Sequence, residues 1–167
     1  ESEKEGSAGG FLEAWMAGEL STTLPASGNP APSELPVRLV AGGFPEAFFR
    51  SPRRARRWQS EYVASMIERD VRDIADVQNA ADVSRLLEFI ANQTATLLNV
   101  SAAANALGHT RRTIENHLGI LEKLFLVRRL PAWHSHRNKR LVKTPKVHFC
   151  DSGVCAMLVD LRPEQWN

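Results

Sequence analysis

The sequence lacks the short motifs that would give this chain nucleotide or metal chemistry of its own. Its ten glycines nowhere form a G-x-x-x-x-G-K-[ST] loop, and no G-x-G-x-x-G follows a predicted strand. H-E-x-x-H and zinc-finger spacings are also missing, and we interpret the His134-Ser135-His136 stretch as solvated loop histidines rather than metal ligands. We therefore expect no catalytic residues, no metal site and no cofactor in this chain.

Cysteines and long apolar runs are equally scarce. Cys150 and Cys155 are the only two cysteines, and their spacing matches neither a metal nor a redox motif, which favours reduced, partly buried thiols. No apolar run approaches the roughly 18 to 20 residues that a membrane span needs. The first residues, ESEKEGSAGG, lack the order of a signal peptide. We expect a soluble, cytoplasmic protein with no membrane contact.

Charge is distributed unevenly along the chain, although the net charge is only +2. Residues 101–149 hold ten Lys and Arg against Glu115 and Glu122, a balance of +8. The rest of the chain holds eleven basic residues against seventeen acidic ones, a balance of −6. This asymmetry points to a local anionic partner, either nucleic acid or an acidic protein surface.

Hydrophobic periodicity divides the chain into four parts. Residues 1–37 combine a short helical stretch, FLEAWMAGEL, with a proline-rich linker, and residues 38–98 form a helical, lid-like subdomain. In that subdomain we predict a long amphipathic helix over 52–77 and a second helix that is capped by Asp82 and has a buried stripe reaching Leu97 and Leu98. Residues 151–167, with Asp151 as a helix cap, begin a C-terminal segment.

Residues 99–150 carry the signals of a winged helix-turn-helix. We predict a short helix capped by Ser101, a turn at Gly108, and a second helix over 111–124. The β-prone runs FLVRRLPAW and RLVKTPKVHFC then read as a hairpin wing. The predicted fold class is mainly α: a helical bundle followed by a winged helix-turn-helix with a short β-hairpin wing.

The second helix has two different faces. Ile114, Leu118, Leu121 and Leu124 recur at helical spacing and should point inward. The candidate nucleic-acid contacts lie on the other face and on the wing: Arg111, Arg112, Asn116, Lys123, Arg137, Lys139, Arg140 and Lys143. Glu115 and Glu122 would repel phosphates, and Gly119 leaves a gap in mid-helix. Packing against a neighbouring domain therefore stays open as the alternative.

Four motifs, taken in order, resemble a known family. GGFPE, ERDV, GHTRRTIENHLGILEKLFLVRRLPAW and KRLVKTPKVHFCDSG, across residues 38–161, are similar to the domain of unknown function after the nucleotide-binding core of bacterial and archaeal AAA-type P-loop ATPases. The resemblance implies a non-catalytic accessory module whose partners are an ATPase core and a restriction-endonuclease-like tail. Its winged helix would couple the nucleotide state of the core to a bound partner, possibly DNA. ATP and Mg²⁺ would belong to that core, whose Walker motifs, like the nuclease-like tail, are expected outside this stretch.

The resemblance also singles out the residues that match the family motifs. We expect structural roles for Gly42, Gly43, Phe44, Pro45, Glu46, Asp70, Asp151 and Gly153. Arg69 is a candidate nucleotide-sensing arginine, and Arg53 to Arg57 compete for that role. Two further hypotheses remain: a stand-alone DNA-binding regulator, and a protein-docking or homo-oligomerisation module anchored by Trp133 or Trp166.

Overall fold

The described part of the chain folds into helices with one small sheet. A computed structural model describes residues 34–74, 80–133 and 143–165, with the backbone alone at 70–74. In chain order this part contains α1 (Leu35–Ala41), α2 (Pro45–Phe48), α3 (Pro52–Ile74), α4 (Ala80–Ala91), α5 (Val100–Leu107), α6 (Arg111–Lys123), β1 (Val127–Leu130), β2 (Lys146–Phe149), α7 (Ser152–Leu158) and a 3-10 turn (Pro163–Gln165). The prediction of a mainly helical fold with a two-stranded hairpin is confirmed.

One hydrophobic core holds these elements together. Most of its largest fully buried side chains come from α4 and α6, and buried residues of α3, α5, both strands and α7 complete it. Ile114, Leu118 and Leu121 are 0% exposed and Leu124 is 5% exposed, as the helical spacing predicts. Burial of each such side chain contributes about 1.5–3 kcal/mol. The boundary predicted at residue 98 stays a prediction, and the parts on either side of it share this core.

The helix-turn-helix is built from α5, a turn at Gly108 and α6. Asn99 caps α5, because its side chain accepts a 2.9 Å hydrogen bond from the Ala102 amide, so the prediction of Ser101 as the cap is wrong. Gly108 adopts φ 72°, a left-handed conformation that suits glycine and ends α5. The Thr110 side chain then accepts from the Thr113 amide and starts α6.

The helix predicted from Asp82 to Leu98 differs at both ends. It begins at Ala80, so Asp82 lies inside the first turn and its carboxylate contacts His109 instead of capping the helix. It ends at Ala91, and Ala95 adopts φ 64° in the following turn. Leu97 therefore leaves the helical stripe and is 61% exposed, whereas Leu98 stays buried.

The wing is an antiparallel pair with a short third partner. β1 and β2 pair from Val127 with Phe149 to Leu130 with Lys146. Leu97 bridges Lys146 on the opposite edge of β2, and the Ala95 amide donates to the Val147 carbonyl over 2.7 Å. This register turns Val127, Arg129 and Val147 toward α6 and leaves Leu130 and Lys146 exposed.

Candidate functional site

The outward face of α6 is the principal candidate site. Arg111, Arg112, Asn116 and Lys123 are all exposed. Within the part of the chain that the structure describes, none of these four side chains makes a hydrogen bond or ion pair. Residues 112, 116 and 123 fall on one stripe about 16 Å long, since a helix rises 1.5 Å per residue. We call this stripe, with Gly119 and Arg111, the outward face.

The two glutamates beside the outward face are held by Arg129 of β1. Arg129 Nη1 lies 2.8 Å from Glu115 Oε2, and Arg129 Nη2 lies 2.5 Å from Glu122 Oε2. The Arg129 amide also donates to Glu122 Oε1 over 3.2 Å. The hydrogen bond from Arg129 holds the pKa of the Glu122 carboxyl below its usual range. The carboxylates therefore point toward the wing and share one positive charge.

Sequence reasoning missed Arg129 as the partner of both acids. A signal was present in the strand pattern, because Arg129 follows the buried Val127 by two residues and so shares its face. The register across the hairpin is non-local, and only the folded sheet brings this side chain under α6.

The basic residues of the wing are described in part. Lys143 is exposed, while Arg137, Lys139 and Arg140 lie outside the described residues. Arg128 and Lys146 are exposed on the sheet face that points away from α6, and sequence reasoning did not select them. The sheet therefore presents cations in addition to those of the predicted wing tip.

Two histidines of the helix-turn-helix lie close together, His109 in the turn and His117 on α6. His117 of α6 is 6% exposed and its Nδ1 has no hydrogen-bond partner among the described residues. Its ring centroid lies 5.9 Å from that of His109, and His109 Nε2 is 3.3 Å from Asp82 Oδ2. Burial, and then the neighbouring His109, lower the pKa of His117. Protonation of this ring opposes the packed state.

The resemblance motifs meet at a second place, the junction of α1, α3 and α7. Asp151 caps α7, as predicted, because its Oδ1 accepts a 2.8 Å bond from the Val154 amide. Its Oδ2 accepts a 2.7 Å bond from the Gly43 amide. A single carboxylate thus links the GGFPE turn to the start of α7.

Close packing at this junction explains Gly42 and Gly153. Gly42 has φ 76°, and a β-carbon built there would stand 2.6 Å from Asp151 Oδ1. A β-carbon on Gly153 would stand 2.4 Å from Gln59 Nε2 and 2.8 Å from the Ala41 carbonyl oxygen. Gln59 is 2% exposed and donates to that same carbonyl over 3.0 Å. The site is therefore saturated with internal contacts.

The remaining motif residues lie around this junction. Pro45 occupies the first turn of α2, as predicted, and Phe44 packs against Trp58 and Tyr62 with ring centroids 5.4 and 4.9 Å away. Glu46 is exposed. Arg69 is exposed on α3, and the side chain of Asp70 lies outside the described residues.

Comparison with known proteins places the chain in a family. Residues 33–165 match the model of a family described as a domain of unknown function, DUF8612. The chain belongs to this family. It is 27% identical, over 123 residues, to the uncharacterized protein Mb2031c of Mycobacterium bovis and to the uncharacterized protein Rv2008c of Mycobacterium tuberculosis. The alignment covers 73% of this chain and 28% of each relative, so this DUF8612 chain matches one segment of longer proteins. No solved structure matches it.

The DUF8612 fold also contains an arginine-lined groove of about 780 Å³. Val37, Ala41 and Met157 are among its apolar lining residues. Arg38, Arg50, Arg53, Arg56 and Arg162 also line it. Arg56 is engaged, because it donates to the Met157 carbonyl over 2.9 Å and to Asp160 over 2.6 Å. Arg57 is exposed but paired with Glu61, so Arg53 and Arg54 are the members of the predicted arginine cluster that have no ion pair among the described residues.

Neither a cluster of metal ligands nor a membrane-spanning helix occurs in the described ranges. There, no three His, Cys, Asp or Glu side chains are grouped to hold a metal ion, and none of the helices is both long and apolar enough to cross a membrane.

Cys150 and Cys155 are free thiols, and Cys150 is exposed rather than partly buried as predicted. Burial raises the pKa of the Cys155 thiol, which makes it a poor nucleophile at neutral pH.

Proposed function

We propose that this domain is a non-catalytic accessory module of a longer AAA-type ATP-binding protein, and that its winged helix binds duplex DNA through the outward face of α6. One observation carries the choice of partner. Arg111, Arg112, Asn116 and Lys123 are exposed and have no partners in the described part of the chain, while Arg129 holds both neighbouring glutamates. The face therefore offers donors and positive charge to an anionic ligand.

The side chains suit the two kinds of contact that a duplex offers. An arginine such as Arg112 donates two hydrogen bonds to a guanine edge, and an asparagine such as Asn116 pairs with adenine in the same way. Lys123 and the wing residues Arg137, Lys139, Arg140 and Lys143 would meet phosphates, which position the protein without reading sequence.

Two observations support the accessory role. The relatives extend well beyond the matched segment, which covers 28% of their length. The motif residues Gly42, Gly43, Asp151 and Gly153 are committed to packing and capping rather than presented to a substrate. ATP and Mg²⁺ would bind in the nucleotide-binding core of the parent protein, and an endonuclease-like tail would follow the module.

The test of DNA binding is a salt titration with fluorescence-labelled duplexes. The chain should bind at low salt, and affinity should fall steeply as salt rises because phosphate contacts release counterions. Arg112→Ala should weaken binding about tenfold, a loss of about 1.4 kcal/mol. Arg54→Ala is the matched control, since Arg54 is an exposed arginine on α3. Failure of the wild-type chain to bind any duplex at low salt would refute this function.

The non-catalytic claim has its own test. Purified chain should not hydrolyse ATP, and turnover at an enzymatic rate by contaminant-free protein would contradict the proposal. In the parent protein, Arg69→Ala would show whether this exposed arginine senses nucleotide, because ATP affinity should then fall while the module stays folded.

A protein-docking role is the second candidate, and exposed aromatic side chains favour it. Phe125 is 80% exposed and adopts φ 54°, and Trp133 is 83% exposed. Large exposed aromatics are typical anchors of protein contacts. Trp166, the other predicted anchor, lies outside the described residues. Light scattering over a wide concentration range tests self-association, and a monomer throughout would count against a homo-oligomer.

A further inference from the structure

Gly119 lies in the interior of α6, and no contact with the described residues requires glycine at this position. A β-carbon built there meets none of the described residues within 4 Å, and the φ of Gly119 is not in the left-handed region. Gly42 and Gly153, in contrast, have neighbours within 3 Å of such a carbon. Glycine weakens a helix interior relative to alanine, so this position carries a stability cost that packing does not explain.

The position of Gly119 on the helix is specific. It follows Asn116 by three residues, precedes Lys123 by four and follows Arg112 by seven, so all four residues share the outward face. The missing side chain therefore leaves helix backbone bare in the middle of the unpaired polar stripe. A side chain there would lean back over the turn that contains Asn116.

The gap at Gly119 matters for DNA contact because the Asn116 side chain is short. The major groove is about 12 Å wide, and a helix with its side chains is about 10–12 Å across, so the fit leaves little room. Arginine reaches a base edge from a distance, whereas asparagine is short and needs the helix axis to come close. Any side chain at residue 119 would hold the helix away from the groove floor.

We propose that Gly119 is a positioning residue for sequence readout, which lets α6 settle deeply enough in the major groove of a B-form duplex for Asn116 to pair with an adenine. This inference rests on the proposed DNA binding and adds the depth of the contact and the base that it selects. Close packing of a protein helix against Gly119 is the competing explanation that the experiment addresses.

The experiment compares Gly119→Ala and Gly119→Gln with the wild-type chain. Duplexes with a randomised centre are selected with wild-type protein, and affinities are then measured for the selected duplex and for versions with each A·T pair exchanged. Gly119→Gln should lose about tenfold or more in affinity and become indifferent to one adenine, and Gly119→Ala should lose about threefold. Asn116→Ala should show indifference to the same adenine.

Thermal unfolding supplies a readout that a structural role would move in the opposite direction. Both variants should melt at a higher temperature than wild type, because alanine and glutamine favour helix over glycine. Ala64→Gln, an exposed small-to-glutamine change on α3, is the matched control and should leave affinity unchanged.

The outcomes separate this inference from the proposed function. If wild type binds duplexes and Arg112→Ala weakens binding, but Gly119→Gln binds with unchanged affinity and adenine preference, the inference is wrong while DNA binding stands. If wild type binds no duplex at low salt, both the proposed DNA binding and the Gly119 inference are wrong. If the wild-type chain instead binds a protein and Gly119→Gln abolishes that binding, close packing of a protein helix against Gly119 is the correct explanation. A lower melting temperature for Gly119→Ala would also overturn the inference.

Discussion

The junction of α1, α3 and α7 and the outward face of α6 use similar residues in opposite ways. At the junction both oxygens of Asp151 accept amide hydrogen bonds, and Gly42 and Gly153 are required by contacts below 3 Å. On the outward face Arg112 and Asn116 lack partners among the described residues, and Gly119 faces open space. Saturated polar groups indicate a structural role, whereas exposed polar groups without protein partners stay available to water or to a ligand, and the proposed DNA contact uses the latter kind.

The largest expected effect is at the saturated site. Gly153→Ala should lower the free energy of unfolding by about 3 kcal/mol, because its β-carbon would collide with Gln59 and with the backbone of Ala41. Urea unfolding measures this change, and Gly119→Ala serves as the glycine control that should gain stability. A loss below about 0.5 kcal/mol would mean that the junction is not tightly packed.

Removal of the shared carboxylate should have the next largest effect. Asp151→Ala removes the cap of α7 and leaves the Gly43 amide without its acceptor, which should cost about 2 kcal/mol. Asp151→Asn keeps one acceptor oxygen and should lose less. If urea unfolding showed the same stability for both variants and wild type, the Asp151 carboxylate would not stabilise the junction.

Acid should weaken the packing beneath the outward face through His117. Since the folded state lowers the pKa of His117, the unfolded state binds more protons as pH falls, and stability decreases from about pH 6.5 downward. The slope for one such group does not exceed about 1.4 kcal/mol per pH unit. His117→Phe should reduce the slope of the free energy of unfolding against pH between pH 7 and 5. An unchanged slope would show that other groups cause the loss of stability in acid.

The Arg129→Ala variant tests whether Glu115 and Glu122 must be neutralised for the outward face to bind a duplex. Arg129→Ala should reduce stability by only about 0.5–1 kcal/mol, because these ion pairs are partly exposed. It should also weaken duplex binding about threefold through the two freed carboxylates. Adding Glu115→Gln and Glu122→Gln should restore affinity at low salt, and no restoration would show that the glutamates do not affect binding.

Local signals predicted much of this structure. The spacing of Ile114, Leu118 and Leu121 fixed the buried side of α6, and Gly108 and Asp151 occupy the predicted turn and cap. The cap at Ser101 was wrong by two residues, because Asn99 competes for the same role with a better-placed amide oxygen. Such competition among neighbouring polar residues is not resolved by propensity alone.

The parts that sequence reasoning missed depend on distant contacts. Gln59 meets Gly153 only when α3 and α7 pack together, and Arg129 meets Glu115 only when the wing folds under α6. Leu97 is exposed because α4 ends at Ala91 and the chain then turns to pair with Lys146 at the edge of β2. The roles assigned to Arg137, Lys139, Arg140 and Asp70 stay predictions.

The hydrogen bond from Gly43 to Asp151 has a consequence for the order of folding. Its two residues are 108 positions apart, so the chain must close a long loop before the bond forms, whereas α5 and α6 are neighbours in sequence. We expect the helix-turn-helix to form early and the junction to form last. During synthesis, residues 34–50 would stay incompletely packed until residue 154 leaves the ribosome. Formation of this junction would therefore indicate that the whole domain has folded.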